Sequence, residues 1–181
     1  ESKTYDKIVV CIIDNASTDG TSEFLKGWVD RWNSPPDLPF QTFWVNVLDA
    51  KVITNTTNLG FGPACNQGMK EIVEDYPDAD LLVMNNDMEL LPDCLDELYK
   101  TAYSSKDIGI VGGRLLFSDG RVQHAGAFLN VFGWGQHKGG GGQDGDRFNQ
   151  MEVEDQEYVT GALFFIKNEL YKKLSGFDER Y

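Results

Sequence analysis

Apolar runs alternate with amphipathic segments along the first half of the chain, the pattern of an α/β domain. Ile8 to Ile13 is unbroken, apolar and rich in β-branched residues, as in a strand buried on both faces of a parallel sheet. Leu81 to Met84 is a second such run. One helical stripe is predicted from Phe24, Leu25, Trp28, Val29 and Trp32. Another, after Pro92, is predicted from Leu95, Leu98, Tyr99 and Ala102.

The remaining segments predict shorter elements and turns. Pro63 suits the first turn of a further helix, and Ser118 to Arg121 predicts a hairpin turn. The glycine-dense segment from Gly133 to Gly145 predicts a mobile loop. The segments Phe40 to Val47 and Lys51 to Thr54 predict two strands or one interrupted strand. Further strands are predicted at Ile108 to Val111, Arg114 to Phe117 and Tyr158 to Ile166.

Length and composition fit one globular domain, since the 181 residues are 41% hydrophobic and 12% aromatic. No apolar run approaches the ~20 residues that cross a bilayer, and no secretory signal opens the chain. Cys11, Cys65 and Cys94 lack metal-site spacing, so we expect reduced core thiols in a cytosolic compartment.

The chain is strongly acidic, with a formal net charge of −13. This balance argues against nucleic acid as a partner, because a phosphate backbone binds a basic face. It would also repel a small anionic ligand. A bound divalent cation reverses the local charge, so an anionic ligand here calls for a metal.

Asn85, Asn86 and Asp87 follow the apolar run that ends at Met84, where open α/β sheets bind ligands. Carboxylate oxygens suit Mg²⁺ or Mn²⁺, which bind through one or two carboxylates plus substrate phosphates. Asp87 is therefore a candidate metal ligand, with Glu89 as a second ligand or an exposed acid. The alternative is that Asp87 is an ordinary turn or cap acid.

Asp14 ends the first strand with a charge that needs a partner, and a nucleobase N–H or a ribose hydroxyl would supply one. The residues from Ser17 to Thr21 are better explained as turn and helix-cap residues. The stretch from Asn58 to Asn66 precedes a helix and is as consistent with a loop as with a phosphate site. His124 and His137 lie beside no obvious acid and are interpreted as structural.

Six segments in this order resemble family 2 glycosyltransferases of the GT-A type, and most of all the rhamnosyltransferase-like branch that builds bacterial surface polysaccharides. The segments are DNASTDGT, NLGFGPACNQG, LLVMNND, SDGRVQHAG, VTGALFFI and GFDE. The resemblance implies a Rossmann-like, mostly parallel sheet flanked by helices, with a small antiparallel region in the C-terminal half. Residues 1–181 would form one domain, with 1–104 as the nucleotide-binding half and 105–181 as an incomplete acceptor-side half.

The resemblance also implies a metal-dependent, inverting transfer of a sugar, hexosyl or rhamnosyl, from a nucleotide-diphosphosugar to a saccharide or lipid-linked saccharide. Asp87 matches the metal-binding acid of the family's D-x-D motif, in which Asn85 replaces the first acid. Gly161, Ala162 and Asp178 match the acceptor side. Residues matched to the donor are Asp14, Asn58, Gly60, Asn66, Asn86 and Asp87.

Two family features are missing from the sequence. Family members carry a strand–helix unit before the strand matched by Ile8 to Asp14, and their usual catalytic base follows the G-F-D-E segment. We therefore expect a fragment truncated at both ends, with its base beyond Tyr181 and little transfer by the chain alone. A cytoplasmic location, including the inner face of the membrane, is expected.

Two other function classes are consistent with parts of the sequence. A non-catalytic nucleotide-sugar-binding module would keep Asp14 and Asp87 and need no base. A nucleotidyltransferase would carry a glycine-rich loop with Arg and Lys near its start, which this sequence lacks, so it ranks last.

Overall fold

The computed structural model describes residues 7–32, 47–139 and 152–180 and confirms the α/β class. Its helices are α1 (Thr21–Trp32), α2 (Phe61–Asp75), α3 (Cys94–Ser104) and α4 (Asn168–Leu174). Its strands are β1 (Ile8–Asp14), β2 (Val47–Thr54), β3 (Leu81–Met84), β4 (Ile110–Gly112), β5 (Leu115–Leu116), β6 (Val122–His124), β7 (Ala127–Leu129), β8 (Gly135–His137) and β9 (Leu163–Ile166). No described helix has the length and apolar character needed to cross a membrane.

The chain forms two compact units, residues 1–79 with 171–181 and residues 80–170. These boundaries differ from the predicted one between residues 104 and 105. The assignment of 1–104 to nucleotide binding and of 105–181 to the acceptor side stays a prediction.

In the first unit, β1 and β2 form a parallel pair that ends with Asp14 opposite Thr54. Helix α2 packs on β1, and Gly68 lets the helix approach because a Cβ there would lie 3.2 Å from Ile13 Cδ1. Lys51 of β2 pairs with Glu71 of α2 at 2.9 Å and also with Asp75. These contacts fix the strand pair against one face of α2.

In the second unit, β9 lies between β3 and β4 and is antiparallel to both. All four of its residues are buried, and Phe165 packs against Leu98 and Ala102 of α3. Within the described residues only β1 and β2 pair in parallel, so the predicted mostly parallel sheet is not confirmed. An apolar run gives burial on both faces but not strand direction.

The hairpin turn predicted at Ser118 to Arg121 is confirmed, because it joins the antiparallel strands β5 and β6. The mobile loop predicted from Gly133 is wrong for its first part, where β8 pairs with β7. Tertiary pairing overrides the low intrinsic strand preference of glycine there. Residues 140–145 of that segment lie outside the described residues.

Other element boundaries differ by a few residues. Helix α2 begins at Phe61, so Pro63 is its third residue, and β9 begins only at Leu163. Phe24 is 63% exposed and does not belong to the packed stripe of α1. Of the strand predicted at Phe40 to Val47, only Val47 lies in the described residues, at the start of β2.

All three cysteines are free and half-buried, as predicted for core thiols. Burial, followed by the nearby Glu71 carboxylate, raises the pKa of Cys11 to about 11. The Cys11 thiol is therefore protonated and weakly reactive at neutral pH.

We predict that Leu98→Ala lowers the free energy of unfolding by about 2–5 kcal/mol, because Leu98 is 5% exposed and its loss leaves a cavity beside Phe165. The matched control is Leu91→Ala, where the leucine is 61% exposed and the expected change is within about 0.5 kcal/mol. Urea unfolding of both variants measures the difference, and equal losses would contradict the assigned core.

Candidate functional site

Asp14 ends β1 with only 2% of its surface exposed. Its carboxylate accepts hydrogen bonds from the Ser17 N–H at 2.9 Å and from the hydroxyls of Ser17 and Ser22. These bonds, the Ser17 side chain first, lower the pKa of Asp14, so the group is a carboxylate at neutral pH. Asp14 therefore holds the turn after β1 against the start of α1.

The residues after this turn have the structural role expected of them. Asp19 accepts hydrogen bonds from the Thr21 N–H at 3.1 Å and from its hydroxyl at 2.6 Å, at the first residue of α1. Ala16 has a φ of 70°, so the backbone turns through the left-handed region between the strand and the helix.

Asn15 joins the end of β1 to the loop between β2 and α2. Its Nδ2 donates to Asn58 Oδ1 at 2.9 Å and to the Gly60 carbonyl at 3.2 Å. Its Oδ1 accepts from the Leu59 N–H at 3.0 Å and from Asn55 Nδ2 at 3.1 Å. One amide side chain thus fixes the loop on which the predicted donor residues Asn58 and Gly60 lie.

Gly60 lies at the N-terminal cap of α2 with a φ of 85°, a conformation that favours glycine. Its N–H donates to Asn58 Oδ1 at 2.9 Å. Among the described residues no side chain caps α2, and its first turn contains no acid. The N–H groups of Phe61 and Gly62 can therefore donate to an anionic ligand, whereas Pro63 has no N–H and the Ala64 N–H donates to the Gly60 carbonyl.

Asn66 lies inside α2, and its side chain binds the segment after α4. Its Oδ1 accepts from the Phe177 N–H at 2.7 Å, while its Nδ2 donates to the Phe177 carbonyl at 2.9 Å and to Glu179 at 2.8 Å. We call these contacts the Asn66 clamp. The predicted donor residue Asn66 thus has a structural partner in the G-F-D-E segment.

Asp87 follows β3 on the second unit and is exposed, as are Asn86 and Glu89. Asn85, which β3 leads into, donates its N–H to the Ala162 carbonyl at 2.9 Å. In the part of the chain that the structure describes, no three His, Cys, Asp or Glu side chains converge to hold a metal. A metal on Asp87 would thus need oxygen ligands from a bound substrate.

The residues predicted for the acceptor side lie in different surroundings. Gly161 and Ala162 form the turn before β9, next to Asn85, so this turn and the end of β3 are neighbours. Asp178 forms an ion pair with Arg180, whose Nε lies 2.9 Å from Asp178 Oδ1. That guanidinium lowers the pKa of Asp178.

The sequence profile of glycosyl transferase family 2 matches residues 1–143. The chain belongs to glycosyl transferase family 2. The match includes every predicted donor residue, from Asp14 and Asn58 to Asp87, and ends before Gly161. The resemblance to the family is therefore confirmed.

Two relatives match this family 2 chain in sequence. It is 30% identical, over 189 aligned positions, to the O-antigen biosynthesis protein RfbC of Myxococcus xanthus, covering 98% of this chain and 13% of that protein. It is 33% identical over 104 positions to the uncharacterized protein y4gI of Sinorhizobium fredii, covering 54% of this chain and 11% of that protein. The chain thus spans a small part of either relative. No solved structure gives a significant match.

The sequence interpretation missed two features of this family 2 chain. One is Asn15, which resembles any polar residue in a turn until its partners are known. The other is a pair of histidines, because His124 Nδ1 lies 2.6 Å from His137 Nδ1 and joins β6 to β8. Such a bond needs one protonated and one bare Nδ1, so at most one of the two rings can carry a charge while the bond is intact.

We predict that Gly176→Ala destabilises the fold more than Gly120→Ala does. Both glycines have positive φ, 98° and 83°, so both substitutions introduce backbone strain of about 1–2 kcal/mol. Only at position 176 would the new Cβ overlap Asn66 Oδ1, whereas position 120 is open. Urea unfolding measures both losses, and equal values would show that the Asn66 clamp contributes nothing.

We predict that the free energy of unfolding falls as the pH drops below about 6.5. Burial, then the neighbouring His137, lowers the pKa of His124, so the native state binds fewer protons than the unfolded chain. The stability that neutral His124 contributes is fully present above that pH and is progressively lost below it. Urea unfolding between about pH 5 and 7.5 measures the slope. His124→Gln should flatten it, and an unchanged slope would contradict this assignment.

Proposed function

We propose that this chain is the donor-binding part of a metal-dependent, inverting glycosyltransferase that transfers a sugar from a nucleotide-diphosphosugar to a hydroxyl acceptor. Two observations support the proposal: the chain belongs to family 2, and the Asn15 side chain makes hydrogen bonds to Asn58, Gly60, Leu59 and Asn55. We call these bonds the Asn15 network. That network fixes Asn58, Gly60 and the start of α2 beside the end of β1.

Asp14 is assigned to the nucleoside of the donor. A carboxylate has about four lone-pair sites, and Ser17 and Ser22 occupy three of them. One lone-pair site remains, and because Asp14 is only 2% exposed, a nucleobase N–H or a ribose hydroxyl would reach it only with a shift of the turn that Ser17 and Ser22 hold. The open N–H groups at the start of α2 favour the diphosphate.

Asp87 is assigned to Mg²⁺ or Mn²⁺, with Asn86 and Glu89 as further oxygen donors. All three side chains are exposed and carry the oxygen ligands that these ions accept, so the residues fit such an ion together with substrate phosphates. When bound, the ion would offset the negative charge of the departing nucleoside diphosphate, which a chain of net charge −13 would otherwise repel.

In the proposed transfer, the acceptor oxygen bonds to the anomeric carbon while the bond from that carbon to the diphosphate breaks. The configuration at the anomeric carbon inverts, and the hydroxyl proton passes to a base that we assign to no residue of this chain. Gly161 and Ala162 are assigned to the acceptor side, since their turn neighbours Asn85. Asp178 is assigned there on resemblance alone.

The acceptor is proposed to be a saccharide or lipid-linked saccharide in surface polysaccharide synthesis. Support comes from the relative named for O-antigen biosynthesis and from the resemblance to the rhamnosyltransferase-like branch. A second candidate is a nucleotide-sugar-binding module without transfer. It would keep the donor contacts of Asp14 and Asp87, and it is consistent with the absence of any residue of this chain to which we assign the base.

We predict that one of UDP, dTDP and GDP binds the chain in the presence of Mn²⁺ and not in its absence. Loss of a residue that only orients a metal ligand weakens metal affinity about 10–100-fold, so Asp87→Asn, which removes a charged ligand, should weaken binding at least about tenfold. The matched control is Asp107→Asn, an exposed acid in the same unit that makes the same charge change. Isothermal titration measures all three proteins.

Equal binding by Asp87→Asn and Asp107→Asn would remove the metal role from Asp87. Binding of no nucleotide by the folded chain would overturn the donor-site proposal. Transfer is a separate readout, because the binding module would bind the nucleotide sugar and release no nucleoside diphosphate when acceptor is added.

A further inference from the structure

The turn between β7 and β8 exposes large apolar side chains. Val131 is 94% exposed, Phe132 81% and Trp134 72%, and Leu129 at the end of β7 is half exposed. We call residues 129–134 the hairpin tip. Single exposed apolar residues are ordinary on protein surfaces, but a group of them on one short turn marks an interaction site.

The hairpin tip is also uncharged. From Ala125 to Gln136 the chain has no Asp, Glu, Lys or Arg, although 25% of all its residues are charged and the net charge is −13. No ionic group in this run therefore opposes its transfer out of water, and none would pair with a charged partner.

The backbone of the hairpin tip is hydrogen-bonded within the hairpin, largely by Asn130. Asn130 Oδ1 accepts from the Phe132 N–H at 2.9 Å and from the Trp134 N–H at 3.0 Å. The Gly133 N–H donates to the Asn130 carbonyl at 2.8 Å, and the Asn130 N–H donates to the Trp134 carbonyl at 2.9 Å. These bonds satisfy the N–H groups of Asn130, Phe132, Gly133 and Trp134 within the hairpin, which lowers the cost of taking those groups out of water.

We propose that the hairpin tip inserts into the interfacial region of a lipid bilayer. Trp and Phe favour that region, and the hydrogen bonds of the turn lower the cost of taking part of its backbone out of water. A stable protein–protein interface needs about 20–30 residues a side, far more than this short convex turn supplies. A lipid surface has no such requirement, because it deforms around a small apolar projection.

Charges at the base of the hairpin limit the depth of insertion. Lys138, just after β8, pairs with Glu154 at 2.7 Å, and the Leu129 N–H donates to the carboxylate of Glu157. These groups stay in water while Val131, Phe132 and Trp134 enter the bilayer. Because the chain carries a charge of −13, we expect binding to be driven by apolar contact and opposed by anionic lipid.

The first test is co-sedimentation of the chain with phosphatidylcholine vesicles, without nucleotide or metal. We expect binding, and we expect Phe132→Ser to lower the partition coefficient about tenfold, since burial of one Phe supplies at least that factor. The matched control is Phe24→Ser on α1, where the phenylalanine is 63% exposed and the partition coefficient should not change. Adding phosphatidylserine should weaken binding at low salt.

A second measurement tests whether Trp134 itself enters the bilayer. Brominated lipid should quench tryptophan fluorescence in the parent chain and not in Trp134→Phe. Absence of vesicle binding by the folded chain, or equal losses in Phe132→Ser and Phe24→Ser, would overturn the proposal. So would self-association that depends on Phe132 without vesicle binding, which would make the hairpin tip a protein contact.

The vesicle experiments do not depend on the proposed transfer. They use no donor or metal, and the nucleotide titration uses no lipid. Failure of one proposal is therefore distinguishable from failure of the other. If both hold, the hairpin tip would bring this chain to the surface where a lipid-linked acceptor resides.

Discussion

The candidate donor site depends on one amide side chain, that of Asn15. Parallel strands β1 and β2 end together and leave the following turns without ladder partners. Asn15 supplies those partners, with Nδ2 bonded to Asn58 and Gly60 and Oδ1 bonded to Leu59 and Asn55. A charged or apolar side chain could not donate and accept at once. Asn15 thus fixes the loop before α2 at the end of β1, while Gly68 and the Lys51 ion pairs hold the helix itself on the strands.

Much of the fold could be predicted from local pattern. The apolar run from Ile8 to Ile13, the stripe on α3 and the turn at Ser118 to Arg121 each determine their own element. Strand direction could not be predicted, because β9 is equally apolar whether it runs parallel or antiparallel to β3. Strand β8 was missed for a related reason, since glycine-rich composition favours a loop until a partner strand supplies the hydrogen bonds.

The candidate site, too, could be predicted only in part from local sequence. Asp14 and Asp87 were proposed as site residues because each is an acid at the end of an apolar run, a signal contained in a few neighbouring residues. The partners of Asn15, the contact between Asn85 and Ala162 and the histidine pair join residues far apart in sequence. No local pattern contains such information. The family resemblance named the chemistry, which acids at strand ends alone do not specify.

The Asn66 clamp has a consequence for biosynthesis. Asn66 is bound by Phe177 and Glu179, more than a hundred positions later in the chain. During synthesis, β1, β2 and α2 therefore leave the ribosome before residues 80–170 do. The contacts of Asn66 with Phe177 and Glu179 can form only after that whole segment has been made. Residues 80–170 can fold as a unit before that. The folded unit shortens the effective length of flexible chain between α2 and residues 171–181, which lowers the entropy lost when the two meet. Nascent chains stalled before residue 176 would leave the Asn66 amide without these partners.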